Sequence, residues 1–230
     1  MKTTLATFLA LALPLMAAPE VRTVETSFYC FKQAPGVDAI RIANGENFTT
    51  VKLSTANISD PVALPVTEGL ASLQRPDASS AAAKVKIPAG LNKALVVLLP
   101  APSGSAEPYQ AFAIDYARDS FRKGTYRLVN VSRKPVRGAI GRSYAEVKPG
   151  GSGDIELQGE EGATQGAKFE FHDQGAWKRL TETRCAVRRD RRWLVLVHED
   201  PATQRMNLRS IPDRDYQPAA AVVATTGNTN

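Results

Sequence analysis

The chain has 230 residues, with 29 Lys or Arg against 23 Asp or Glu, a formal net charge of +6, and only two Cys and two His. With 43% hydrophobic residues it can bury a core, which excludes a disordered chain. The counts equally exclude a collagen-like repeat and a disulfide-dense mini-protein. Two His and two Cys leave a metal or thiol mechanism little to work with.

Lys2 precedes an apolar stretch from Leu5 to Met16 that ends at the small residues Ala17 and Ala18. A short basic start, an apolar run and a small-residue exit predict a secretory signal peptide, and the run is too short for a membrane span. Cleavage after Ala17 gives a mature chain starting at Ala18, exported to the periplasm or the cell exterior, with no transmembrane span. Export permits disulfides. Cys30 and Cys185 each lie in a strand-like run, so they either bridge the start of the mature chain to its last third or stay as separate buried thiols.

The mature chain reads as β structure. Ala39-Ile40-Arg41-Ile42 runs into Asn44-Gly45, and Phe48–Leu53 follows. Lys84-Val85-Lys86-Ile87, Tyr126–Val129 and Phe169-Glu170-Phe171-His172 alternate between polar and apolar residues, which gives each one wet and one buried face. Leu95–Leu99 and Trp193–Val197 are continuously apolar, as strands buried on both faces are. Short turns of helix are conceivable at Ala78–Lys84 and Tyr116–Arg122, but neither carries an apolar stripe at 3.6-residue spacing. The fold class expected is all-β: two tandem immunoglobulin-like antiparallel β-sandwiches after a cleaved signal peptide. The boundaries are 1–17 for the signal peptide, 18–119 and 120–216 for the sandwiches, and 217–230 for a disordered tail.

Two internal matches support the tandem reading. Asn57-Ile58-Ser59-Asp60-Pro61-Val62 resembles Asn130–Val136, an offset of 73 residues from Asn57 to Asn130. Leu95–Pro100 resembles Leu194–Pro201, an offset of 99 from Leu95 to Leu194, and each is followed by a closing strand, Phe112–Asp115 and Leu208–Ile211. Repeated order of this kind predicts two similar units joined near Arg118–Gly124.

Chemistry-bearing patterns are few. His198-Glu199-Asp200-Pro201 falls at a strand end, where a solvated reading is preferred because no second ligand cluster accompanies it. Gly150–Gly153 reads as a turn, and no nucleophile elbow, P-loop or dinucleotide fingerprint is present. Trp177 has the polar setting of an exposed ring, whereas Trp193 heads a buried run. The conspicuous charge feature is Arg184, Arg188, Arg189, Arg191 and Arg192 around Asp190, read as a hairpin tip. It would meet phosphates, sulfated glycans or anionic lipid heads, or simply keep apolar strands from pairing edge to edge.

The Leu95–Pro100 run with Phe112–Asp115, and the Tyr126–Ser132 segment leading to Pro135-Val136 and Lys148-Pro149-Gly150, resemble uncharacterised secreted bacterial β-sandwich proteins. That resemblance spans most of the mature chain and implies export and fold, without an activity. The Asn130-Val131-Ser132…Pro135 segment is also similar to one in periplasmic pilus chaperones, which are basic, exported, two-sandwich proteins. The chaperones' cleft-lining basic pair and long donor strand have no counterpart here. The function expected is a non-catalytic envelope or secreted protein acting through protein or surface contacts. It would be no enzyme and would need no cofactor, metal or nucleic acid. The alternatives are a module for polyanionic glycan or an envelope polymer, using the Arg184–Arg192 hairpin, and a periplasmic chaperone.

Overall fold

The computed structural model describes residues 21–77, 80–201 and 203–213, and these form sixteen strands and no helix. The signal peptide and tail expected at 1–17 and 217–230 lie outside the described residues. Ala81–Lys86, which overlaps the Ala78–Lys84 stretch considered for helical turns, is a strand, and 116–124 forms turns.

The first eight strands are β1 (Val21–Cys30), β2 (Ala39–Asn44), β3 (Asn47–Lys52), β4 (Val62–Thr67), β5 (Leu70–Gln74), β6 (Ala81–Lys86), β7 (Lys93–Pro100) and β8 (Tyr109–Asp115). They form one sheet of order β3-β2-β5-β4-β1-β7-β8, with β6 also on β5. The link between β4 and β5 is the single pair Thr67↔Leu70 across a tight turn. Its central residues Glu68 and Gly69 both have positive φ, the two-residue hairpin geometry that glycine eases. Cut at that turn, the sheet divides into layers β4-β1-β7-β8 and β3-β2-β5-β6.

The last eight are β9 (Thr125–Asn130), β10 (Val136–Ile140), β11 (Ser143–Val147), β12 (Ser152–Glu156), β13 (Thr164–Asp173), β14 (Ala176–Ala186), β15 (Trp193–Glu199) and β16 (Met206–Pro212). They form two separate four-stranded sheets, β12-β9-β15-β16 and β11-β10-β13-β14. Each strand of the first set therefore has a counterpart eight strands later. The pairing directions repeat as well: β1–β7 and β9–β15 are parallel, and the other pairs are antiparallel. These two parallel pairs, and the four-plus-four layering, go beyond the antiparallel seven-strand immunoglobulin plan.

Backbone hydrogen bonds set the register of the repeat. Phe31 N–H donates to Leu98 O at 2.8 Å, and Val131 N–H to Val197 O at 2.9 Å. Tyr116 N–H donates to Lys93 O, and Asp213 N–H to Arg192 O, both at 3.1 Å. Leu95 thus corresponds to Leu194, Lys93 to Arg192 and Leu99 to His198, at the 99-residue offset of the second sequence match. The 73-residue match does not correspond in the fold. Pro61-Val62 opens β4, whereas Pro135-Val136 opens β10.

Three cores follow from the alternation of side chains. Val96 and Leu98 face inward in the first unit with Phe28, Ile40 and Leu64. Val195 and Val197 do the same in the second, with Leu128, Ile140 and Phe169. The intervening residues Leu95, Val97 and Leu99 meet Leu194, Leu196, Val129 and Ile211 in a third core between the units. This is why both apolar runs are continuous: each strand is buried by its own sandwich on one face and by the neighbouring unit on the other.

Candidate functional site at the seam between the repeats

The seam core is closed at one end by the connection 116–124 and open at the other. At the closed end two arginines hold the connection down. Arg192 is 3% exposed. It pairs with Asp213, donates from Nη1 to Phe121 O at 2.7 Å, and lies 4.8 Å from the centroids of both Tyr116 and Phe121. Tyr116 Oη donates to the same Asp213 carboxylate. Arg127 forks onto Asp154 with two bonds of 2.7 Å and donates to Asp115 O at 2.8 Å and to Ser120 O. These fully partnered charges serve the structure: breaking either would strand a buried carboxylate or guanidinium.

The open end is a cleft built from corresponding strand ends. Phe31 and Lys32 follow β1, and Val131 to Arg133 follow β9. The end of β7 brings Pro100 and the β7–β8 loop Pro102, and the β15–β16 loop brings Asp200 and Pro201. Adjoining hollows of about 170 and 260 Å³ both touch Leu99 and His198, and a third hollow beside them is also lined by Phe31, Lys32 and His198. Phe31, Leu99 and the prolines make the first hollow mainly apolar, whereas Ser132, Glu199, Asp200 and Gln204 make the second more polar; Lys32 stands on one side and Arg133 on the other.

His198 is the centre of this cleft. It is 4% exposed, its ring centroid lies 3.8 Å from that of Phe31 in a tilted contact, and its Nδ1 is buried with no hydrogen-bond partner. Burial lowers its pKa from 6.5 to about 4, which the Asp200 charge opposes and the Arg209 charge reinforces. The ring is therefore neutral at pH 7, one nitrogen donating and the other accepting. Arg209 braces the aromatic wall: it sits 4.1 Å over Phe31 and donates to Phe31 O at 2.8 Å and Tyr29 Oη at 3.1 Å. The solvated strand end expected at His198 is thus corrected, because Phe31 of the other unit covers it.

The five arginines singled out in the sequence are divided by the fold. Arg192 is inside, as described. Arg188, Arg189 and Arg191 stand in the β14–β15 loop, which crosses from one sheet to the other and is not the hairpin tip expected, since β14 and β15 do not pair; Arg184 is exposed on β14. Acidic and carbonyl groups share that surface: Arg188 pairs with Glu161 at 3.6 Å, and Arg191 with Asp190 at 3.4 Å. Arg189 donates its backbone N–H to Glu161 and its Nη2 to Gly159 O.

The disulfide considered between Cys30 and Cys185 does not form. Both are free thiols, Cys30 inside the first core and Cys185 against the core of the second. Burial raises the pKa of each, which disfavours the reactive thiolate. Trp177 is half-buried on the outer face of the second unit, edge-on to His172 at 5.2 Å with Arg137 4.3 Å over its ring. Trp193 stacks on Tyr126 at 5.9 Å, also half-buried. Among the described residues no three or more His, Cys, Asp or Glu side chains are grouped to hold a metal, and no helix is long and apolar enough to cross a membrane.

Sequence reasoning missed the cleft. Its signal was the second match itself: aligning Leu95–Pro100 with Leu194–Pro201 places a histidine where the other repeat has leucine. No protein-family model matches the chain, and no curated protein matches it by sequence.

Proposed function

We propose that the protein is a non-catalytic exported binding protein, acting by contact in the envelope or outside the cell, and that the seam cleft is its ligand site. One observation carries this reading: the hollows between the two units converge on His198, a buried side chain whose Nδ1 has no partner. Ligand sites favour concave, largely apolar places between domains with a few convergent polar groups. A buried nitrogen without a partner gains the most from a ligand that supplies one. The ligand that fits is small and mostly apolar, lies against Phe31, Leu99 and the prolines, and carries an N–H or O–H donor for His198.

Ligand-observed NMR of the mature chain against a fragment set of aryl amides and alcohols tests this. The expected result is a group of fragments that lose their binding signal in Phe31→Ala and His198→Leu variants with native fold. Fragments that bind both variants as well as the parent, or a set with no binder at all, would overturn it.

A second reading keeps the polyanion role for the β14–β15 loop, supported by exposed Arg184, Arg188 and Arg189. The acidic neighbours Glu161 and Asp190 weaken its field, so the cleft is preferred.

A further inference from the structure

A second surface, independent of what binds in the cleft, lies along a sheet edge of the first unit. An unpaired strand edge is a row of backbone donors and acceptors ready to pair with another chain, and proteins usually blunt it. Most of the sheet edges here are blunted. In the first unit β6 lies along β8, and in the second β11 lies along β12. Strand β4 carries Pro65, which lacks a donor, β14 carries Lys178, Arg179, Glu182 and Arg184, and β16 carries Arg209.

Strand β3 is the exception. Among the described residues it pairs with β2 alone. Its residues Asn47 to Thr50 are exposed one after another, and Asn47-Phe48-Thr49-Thr50-Val51 has neither charge nor proline. Phe48 is 48% exposed, with Arg41 of β2 stacked 3.9 Å from its centroid. The edge is rich in Thr, Phe and Val, which favour cross-strand pairing.

The two ends of this edge carry opposite charges. Glu46 sits in the turn just before β3 and Lys52 is its last residue, both exposed. Neither makes an ion pair in the described residues. Val51 is buried opposite Ile40, so Phe48, Thr50 and Lys52 lie on the outer face. An antiparallel copy centred on Thr49 would set Thr49 against itself, Phe48 against Thr50, and Glu46 against Lys52, twice over by symmetry. A two-fold contact must be complementary to itself in this way.

We propose that β3 is a self-association edge: two chains join antiparallel through β3 about Thr49, continuing the sheet across the dimer, with Glu46 of each facing Lys52 of the other.

The test uses the mature chain and two charge reversals at exposed positions, Glu46→Lys and Lys52→Glu. Sedimentation velocity over a concentration series should show the parent shifting from one chain to two. Each reversal alone turns both attractive pairs into repulsive ones and should weaken the dimer about tenfold or more. Mixing the two variants restores both pairs and should restore the dimer as a heterodimer. A Thr49→Cys chain, carrying Cys185→Ser, should form a disulfide-linked dimer under mild oxidation, since residues facing each other across an antiparallel pair come within bridging distance. A parent that stays monomeric throughout overturns the proposal. So does a dimer unaffected by the reversals, or one the mixture does not rescue.

Discussion

The two units share a strand plan yet use corresponding positions differently. Lys93 of the first and Arg192 of the second both precede the apolar run, and each passes its carbonyl to the strand-end residue that follows its repeat. Lys93 reaches Glu25 at 2.9 Å on the surface, the two side chains 30% and 51% exposed. Arg192 is driven between the units onto Asp213, at 3% and 5%. The same backbone position is thus decoration in one repeat and a structural anchor in the other. The difference lies in what packs over it, since Tyr116 and Phe121 cover Arg192 whereas the Lys93–Glu25 pair stays partly exposed.

Substituting each by methionine breaks that comparison most strongly. Removing one partner of a buried pair leaves an uncompensated charge, so Arg192→Met should cost about 3–5 kcal/mol. Lys93→Met should cost about 1 kcal/mol or less, the usual value of an exposed pair. Urea unfolding of the two variants measures both. Equal losses would mean that Arg192 is not the anchor described.

Leu99 and His198 form the next pair. The imidazole takes up a proton near pH 6.5 when unfolded but only near pH 4 when folded, so between those values the unfolded chain binds more protons. The contribution is complete above about pH 6.5 and is lost as pH falls to 4, amounting to about 3 kcal/mol. The variant His198→Leu, which copies the first repeat, should lose this acid sensitivity while keeping that of the carboxylates. The measurement is the parent-minus-variant difference in unfolding free energy from pH 7.5 to 4. A flat difference would contradict the buried, neutral imidazole.

These pairs also show what the sequence could reveal. The continuous runs at Leu95 and Leu194 marked strands buried on both faces and carried the true repeat offset, because burial on two sides forbids alternation. The Asn-x-Ser…Pro-Val match misled, because turn residues recur wherever a strand ends. The residue corresponding to Asn130 is Cys30: their N–H groups donate to Ser54 O and Gly151 O at the same step of the fold, yet the two side chains have nothing in common. Five neighbouring arginines looked like one patch, since local charge density does not tell which guanidinium a distant Asp213 will draw inside. Nor could the sequence say that Phe31, far from His198 along the chain, would cover it.

Core filling differs between the units as well. Strand β2 sends Ile40 and Ile42 inward, whereas β10 places Gly138 where Phe169 presses close. A Cβ at Gly138 would lie 2.6 Å from the Phe169 ring and 3.0 Å from Ile155. Gly138→Ala should therefore destabilise by about 1–3 kcal/mol through overpacking. Adding Phe169→Leu should cost less in that background than in the parent, since the smaller side chain relieves the clash. A thermodynamic cycle of the two changes reads the coupling directly, and strict additivity would place the contact elsewhere.

The smallest effect on stability is expected at the β14–β15 loop, whose counterpart in the first unit ends in Leu91-Asn92 and leads into Lys93 of β7, with no arginine run. Arg188 meets Glu161 only at 3.6 Å with both side chains about half exposed, a geometry in which solvent screens most of the attraction. Arg188→Glu should change unfolding free energy by about 0.5 kcal/mol or less. The same variant sharpens the choice between the two binding surfaces. If the cleft is the working site, reversing this charge leaves fragment binding at His198 untouched and shortens retention on heparin only as far as the lost net charge requires. An equal reversal at Lys84, a comparably exposed lysine on β6 whose side chain is 67% exposed, supplies that reference. Retention that collapses for Arg188→Glu but not for Lys84→Glu would move the function from the seam to the loop. Equal, salt-screened losses for both would mark the arginines as a solvated turn that keeps the neighbouring strands from pairing with other chains.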